Sequence, residues 1–167
     1  MLDTFDQFAA DRIDRLLRFA TALTCDPHLA QDVVQEVLVR VQHKWDRIGA
    51  LAARDMYVRR MIINEYLSWR RRKASRNIAA THSTLDALGT PTADPAHIYA
   101  ERDALRSHII KLPRKQRAAL VLRYYEDRSD QEIAELLGCS VGTVRSHISR
   151  ALSTLRASHQ HPVREAL

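Results

Sequence analysis

Residues 129–152 read Ser-Asp-Gln-Glu-Ile-Ala-Glu-Leu-Leu-Gly-Cys-Ser-Val-Gly-Thr-Val-Arg-Ser-His-Ile-Ser-Arg-Ala-Leu. The order of these residue types predicts a helix, a three-residue turn and a second helix. Ser129 with Glu132 three places on forms a capping box, in which each side chain satisfies the other's orphan backbone N–H. Ile133, Ala134 and Leu137 follow as an apolar stripe at helical spacing. Gly138 can take the left-handed conformation that ends the first helix, and Ser140 caps the next. In the second helix Val141, Val144, Ile148, Leu152 and Leu155 share one side. Thr143, Ser146 and Arg150 share the other, with Arg145 on the flank near the N-terminus. A face of small residues and few cations at a helix N-terminus suits the major groove, where the first turns reach base edges and the dipole favours phosphate. Ser140, Thr143, Arg145, Ser146 and Arg150 are therefore the candidate duplex contacts. An ordinary amphipathic helix with a solvated polar side is the competing interpretation.

Working outward, the remaining sequence is also helical in pattern. Hydrophobic spacing near 3.6 runs throughout, no stretch alternates as a strand would, and the 167 residues contain only four Gly and five Pro. The expected class is all-α. Residues 4–24 carry Phe5, Phe8, Ile13, Leu16, Phe19, Ala20 and Leu23 on one broad stripe. Asp26-Pro27 marks a fresh start, an N-cap followed by Pro at the first helical position. That second helix runs to about Trp45 and buries Ala30, Val33, Val34, Val37, Val41 and Trp45. Asp32, Glu36 and Arg40 project from another side at successive i,i+4 steps. After a loop around Gly49, a long helix covers roughly 54–73 and ends in Trp69-Arg70-Arg71-Arg72-Lys73. From 74 to about 96, Ser, Thr, Ala, His, Pro and Gly replace the large apolar residues, as in a flexible linker. A connection of that length inside one compact unit is unusual. The expected layout is thus a first helical domain over 1–73, a linker over 74–97, a second helical domain over 98–158 and a tail over 159–167. The second domain opens with a helix from about Ile98 to Lys111. Leu112-Pro113 then restarts the chain into a helix carrying Ala118, Leu120, Val121, Leu122 and Tyr125. The two halves are expected to reorient nearly independently.

Charge and chemistry narrow the function. The net charge is +6, divided as +3 over residues 1–73, −2 over 74–104 and +5 over 105–167. Two basic blocks separated by an acidic one suggest two surfaces that each approach a polyanion. No segment approaches the roughly 18 apolar residues that span a bilayer, and the early Asp3, Asp6 and Asp11 do not suit a signal peptide. A cytoplasmic protein without membrane insertion is expected. Cys25 and Cys139 lack metal-ligand spacing beyond the single Cys25/His28 pair, so reduced, buried thiols are expected, with no metal and no cofactor. Neither a Gly-rich phosphate loop nor an HExxH-type pair is present, and no catalytic residue is assigned. The basic run Arg70–Lys73 suits the negative end of a helix dipole. Together with Tyr57, Tyr66 and Trp69 it equally suits single-stranded DNA, which takes aromatic faces for bases and cations for phosphates. Spacing alone leaves Tyr66 and Trp69 open between core and base stacking. The Asp32/Glu36 strip, with Gln35 and Arg40, offers a mixed-charge face for a partner helix, or a hydrated surface and nothing more.

Three stretches resemble a known family. Ala30-Gln-Asp-Val-Val-Gln-Glu-Val-Leu-Val-Arg is similar to the signature helix of region 2 in bacterial RNA polymerase sigma factors. Tyr57-Val-Arg-Arg-Met-Ile-Ile-Asn-Glu-Tyr-Leu-Ser-Trp-Arg-Arg-Arg resembles the part of that region that melts and reads the −10 element. Leu112-Pro-Arg-Lys-Gln-Arg with the helix-turn-helix looks like region 4. Two regions joined by a linker form the layout of the extracytoplasmic-function class, group 4 of the sigma-70 family, with an actinobacterial flavour. The resemblance implies a non-catalytic subunit that gives polymerase its promoter choice. Asp32, Gln35, Glu36 and Arg40 would dock on the beta-prime clamp helices of core RNA polymerase, and region 4 would meet the beta flap. Tyr57, Arg60, Asn64, Trp69, Arg70 and Arg71 would hold the −10 element as an opened strand. The helix from Val141 would enter the −35 major groove. An anti-sigma factor is the implied regulator. The 46–56 loop departs from the family, carrying Leu51-Ala-Ala and little polar-aromatic content. A stand-alone helix-turn-helix regulator with an N-terminal dimerisation or sensing domain is the alternative, and a sequestering protein would leave both basic faces unexplained.

Overall fold

The structure is a computed structural model that describes residues 4–76 and 96–159. Most of the expected linker and of the tail lie outside the described residues. Among the described residues the fold is all-α. In the first half α1 (Phe5–Thr24) opens on a capping box: Thr4 Oγ1 accepts from the Gln7 amide at 3.3 Å, and Gln7 Oε1 accepts from the Thr4 amide at 3.0 Å. It ends at Cys25 in the left-handed region, φ 56°. Asp26 then caps α2 (Pro27–His43), accepting from the His28 and Leu29 amides at 2.9 and 3.3 Å. The expected run to Trp45 breaks at Lys44, whose backbone leaves the helical region. The short α3 (Trp45–Ile48) turns Trp45 back onto Phe5 and Phe8, with ring centroids 5.7 and 5.1 Å apart. The long α4 (Arg54–Arg76) completes this half. Phe19, Leu23, Val33, Val37, Ile62 and Ile63 are fully buried between α1, α2 and α4. Ile13, expected on the inner stripe, is exposed at the edge of it.

The second half comprises α5 (Ala96–Ile109), α6 (Arg114–Tyr124), α7 (Asp130–Leu137) and α8 (Val141–His159). Ala118, Ala119, Leu122, Ile133, Val144 and Ala151 are buried where α6, α7 and α8 meet. Tyr125, expected on the inner face of α6, is exposed. The helix ends one residue earlier, so the periodicity does not carry that far. Leu137 is only half-buried, whereas Leu136 is buried. Leu136 faces Leu51, Met56 and Tyr57 of the first half, which the pattern within α7 could not reveal.

That contact belongs to a correction of a larger expectation: the halves pack together instead of reorienting independently. Most of their buried residues join in one continuous core, with α7 and α6 against α4 and α6 against α1, while Leu112, Leu120 and Ala151 form a small separate cluster. Polar links reinforce it. Arg59 on α4 pairs with Glu126 at 2.5 Å, both side chains being largely buried. Arg117, nearly buried, donates to Leu23 O at 3.2 Å and Thr24 O at 3.4 Å, and Arg106 donates to Cys25 O. These are carbonyls at the end of α1, where intrahelical donors run out and the dipole is negative. Arg114 donates to Tyr66 O at 2.5 Å and lies 5.2 Å from the centroid of that ring. The polar composition between the two halves carries no information about the affinity of the faces on either side of it. Those faces are closed here by long arginine stems reaching across the fold.

Candidate nucleic-acid interface

The helix-turn-helix is built as its residues dictate. Ser129 Oγ accepts from the Glu132 amide at 3.2 Å and Glu132 Oε2 accepts from the Ser129 amide at 2.9 Å. That amide, the Ser129 hydroxyl and Arg128 hold the Glu132 carboxyl below its ordinary pKa. Gly138 ends α7 at φ 64°. Ser140 Oγ accepts from the Thr143 amide at 3.1 Å and lies 2.9 Å from the Thr143 hydroxyl. These two candidate DNA contacts thus also close the N-terminus of α8. Val144, Ile148 and Ala151 are buried beneath it, while Thr143, Arg145 and Arg150 are exposed and Ser146 is half-buried. Arg145 Nε donates to Asp130 Oδ2 at 2.9 Å, and Asp130 also pairs with Arg123. His147 sits behind this face with its pKa lowered, chiefly by burial and then by the cations Lys115 and Arg150.

On α4 the residues Tyr57, Arg60 and Asn64 are exposed and recur at i, i+3 and i+7, so they share a face. Trp69 is half-buried, and the side chains of Arg70 and Arg71 lie outside the described residues. Tyr66 is core: it is 1 % exposed, and burial pushes its phenol up to about 12. Tyr57 and Arg60 line a shallow groove of 260 Å³ whose opposite wall is Glu135 and Leu136 of α7. Asn64 lines a wider cleft of 870 Å³ with Arg40, Arg114, Lys115 and His147. The candidate single-strand face therefore looks onto the second half of the same chain.

On α2 the candidate docking residues Asp32, Gln35 and Glu36 are exposed, on turns away from the buried valines. Arg40 is more constrained than its spacing suggested, donating to Glu36 at 2.9 Å and to Glu65 at 2.7 Å. Glu65 is only 3 % exposed, and no pattern in α4 singled it out. Val39 was also missed. It stands 46 % exposed, one helical turn from Gln35 and Glu36, and adds apolar surface beside the strip. Its position off the Val33/Val37/Val41 stripe was the available signal.

Cys25 is buried, as expected, which raises its thiol pKa, whereas Cys139 is only half-buried. Among the described residues no group of three His, Cys, Asp or Glu could hold a metal ion. No helix there is long and apolar enough to cross a membrane.

A helix-turn-helix with an exposed basic flank, joined to a bundle bearing an aromatic and cationic helix, defines a class of DNA-directed transcription protein. Comparison with known proteins narrows the class. Residues 10–76 match the family described as Sigma-70 region 2, and residues 102–155 match Sigma-70, region 4. The chain is 38 % identical over 152 residues to the RNA polymerase sigma-E factor of Streptomyces avermitilis, covering 91 % of this chain and 83 % of that protein. It is 34 % identical over 153 residues to the ECF RNA polymerase sigma factor SigL of Mycobacterium tuberculosis, covering 87 % and 82 %. Among solved structures, the sigma factor RpoE in complex with the anti-sigma factor NepR from Bartonella quintana shares the fold, with a TM-score of 0.71 at 21 % identity over 95 % of this chain and 98 % of that one. CnrH in complex with the cytosolic domain of CnrY gives 0.61 at 25 % identity, over 93 % and 87 %. The chain belongs to the extracytoplasmic-function class of sigma-70 family sigma factors: it binds core RNA polymerase and directs promoter-specific transcription initiation, without catalytic activity of its own.

Proposed function

We propose that the three faces divide the work of initiation. The α2 strip of Asp32, Gln35, Glu36, Arg40 and Val39 docks on the beta-prime clamp helices, and the second half meets the beta flap. Tyr57, Arg60, Asn64, Trp69, Arg70 and Arg71 take the −10 element as an opened strand, using aromatic faces and cations. Thr143, Arg145 and Arg150, with Ser140 and Ser146 at the margins, read the −35 duplex in the major groove. These events take place in the cytoplasm, where polymerase and chromosome meet. The carrying observation is the pairing, in one chain, of an α8 face exposed above a fully buried underside with an exposed Tyr57/Arg60/Asn64 face on α4. The docking assignment is tested by Asp32→Lys with Glu36→Lys, which leaves the buried valines untouched. The double variant should lose competition for core polymerase against the parent protein, and equal competition would refute the assignment.

Regulation follows from the same geometry. The residues proposed for the −10 strand line grooves walled by α6 and α7, so the packed arrangement would hinder the approach of a strand to side chains that are themselves exposed. Both solved relatives named above are complexes with a second protein, one of them called an anti-sigma factor. An anti-sigma partner that contacts both halves would stabilise the closed arrangement, which already disfavours promoter binding by direct contact. Sedimentation of the chain with a candidate partner, repeated with either half alone, checks that both halves are needed.

A further inference from the structure

We propose that Asp130 is a positioning residue for promoter reading, fixing the guanidinium of Arg145 in the pose that meets a guanine. The proposal rests on Arg145 as a reader of the −35 duplex. Asp130 is the first residue of α7, where the helix dipole favours a carboxylate. Its side chain is 22 % exposed and joins three helices: Arg123 from the last turn of α6, its own α7, and Arg145 from α8. Arg145 is 71 % exposed, yet its Nε is held at 2.9 Å by Asp130 Oδ2. With Nε engaged by the protein, the donors presented outward are those of the terminal nitrogens. Two parallel N–H donors from that end match O6 and N7 of guanine, the commonest specific arginine contact in the major groove.

A solvated arginine samples many rotamers and loses them on binding a base. A carboxylate that already orients the guanidinium takes part of that loss before DNA arrives. It also has a cost, because a negative charge beside the groove repels phosphate and weakens binding to every sequence. Asp130 therefore exchanges general affinity for discrimination. The two effects have opposite signs, and a residue that only tied α6, α7 and α8 together would not produce them.

The test uses holoenzyme reconstituted with core RNA polymerase and a promoter library randomised across the −35 element, with base preference read at each position. Arg145→Ala should flatten the preference at one base pair. Asp130→Asn and Asp130→Ala should reduce the preference at that same pair by about three- to tenfold, a part of what a whole bidentate contact supplies. Other positions should keep their preferences, and binding to scrambled fragments should hold or tighten. Asp130→Glu, which keeps a carboxylate within reach, should restore part of the loss. Arg123→Gln cuts the other arm of the tie and should leave base preference as in the parent. A uniform loss at all positions in the Asp130 variants, or the parent's profile unchanged, would overturn the proposal while leaving Arg145 as a reader. A flat response to Arg145→Ala would overturn that reading, and the proposal with it.

Discussion

Exchanging Glu126 for Gln should loosen the packing between the two halves and clear the approach to the α4 face. The Arg59–Glu126 pair is 2.5 Å long with side chains only 8 % and 12 % exposed, so neither charge is well solvated in the closed arrangement. Removing one member of such a pair costs about 3–5 kcal/mol when the survivor is left alone. Arg59 would not be alone, because Asp55 accepts from its Nε at 3.1 Å. A loss of about 2 kcal/mol is the reasonable expectation, which shifts the closed-to-open ratio by about 30-fold. Glu126→Lys should go further, placing like charges together. Glu126 stands outside the cores of both halves, so the helices of each should survive, and far-ultraviolet circular dichroism checks that they do. Energy transfer between a dye on α1 and a dye on α8 would report the separation. In parallel, affinity for a single-stranded −10 oligonucleotide should rise, approaching 30-fold where the open form is scarce in the parent, because apparent affinity scales with the competent fraction. A folded variant with unchanged separation and unchanged affinity would refute the view that this pair helps to hold the closed arrangement.

Three further outcomes rest on named residues. Ile62→Ala removes a fully buried side chain of α4 and should cost about 2–5 kcal/mol in chemical denaturation; a smaller loss would mean that α4 is not the centre of the bundle. Arg145→Ala with Arg150→Ala should weaken binding to a −35 duplex by about 1–3 kcal/mol for each base that is no longer read, and should spare a single-stranded −10 oligonucleotide. Trp69→Ala should do the reverse, losing about 1–3 kcal/mol for a stacked base, and equal effects on both ligands would argue against two specialised faces. Burial, and then Lys115 and Arg150, lower the pKa of His147 in the folded protein, whereas the unfolded chain protonates near the ordinary value of 6.5. Its contribution to stability is therefore complete above that pH and is lost as pH falls below it. His147→Gln should flatten the change in urea midpoint between about pH 7.5 and pH 5.5, and an unaltered slope would assign that change to other groups.

Local chemistry was legible in the sequence wherever neighbours in the chain decide it. Ser129/Glu132, Asp26-Pro27 and Gly138 act on backbone groups two to four residues away, and each stands where its type demands. Positions whose environment is set by distant residues were not legible. Leu136 is buried by the first half, and Tyr66 is covered by Arg114 from 48 residues on. Arg59, Glu65 and Arg117 are charged residues inside the fold, where a pattern of apolar and polar positions puts solvent. For the candidate site, helical spacing found the exposed face of α8. The Ser140 cap was legible too, but spacing could not show that the Thr143 hydroxyl turns onto Ser140, nor that Arg145 is held by a carboxylate from the preceding helix.

The distances involved make opening a requirement of the proposed division between a −10 face on α4 and a −35 face on α8. Elements named −35 and −10 lie roughly 25 base pairs apart, or about 85 Å along B-form DNA. In the packed arrangement α7 lies on α4 and α8 lies on α7. Two such layers at about 8–10 Å each put the duplex-reading helix on the order of 20 Å from the single-strand face. No bending of α8 or rotation of side chains recovers the difference, so promoter engagement at both elements needs the halves apart. The chain between the end of α4 at Arg76 and the start of α5 at Ala96 makes twenty steps, which reach at most about 70 Å when fully extended. With the dimensions of the two domains added, that maximum reach exceeds the separation of the two elements. Free energy for separation has to come from interactions formed only in the separated state, those of core polymerase above all, since a ligand shifts an equilibrium only by its differential affinity. On the docking proposed above, core polymerase would act twice, as the partner of the α2 strip and as the agent that separates the two reading faces. It follows that Glu126→Gln should reduce the advantage that core polymerase confers on −10 strand binding, because part of the opening has already been done. An advantage as large in the variant as in the parent would mean that polymerase acts on some barrier other than the Arg59–Glu126 pair.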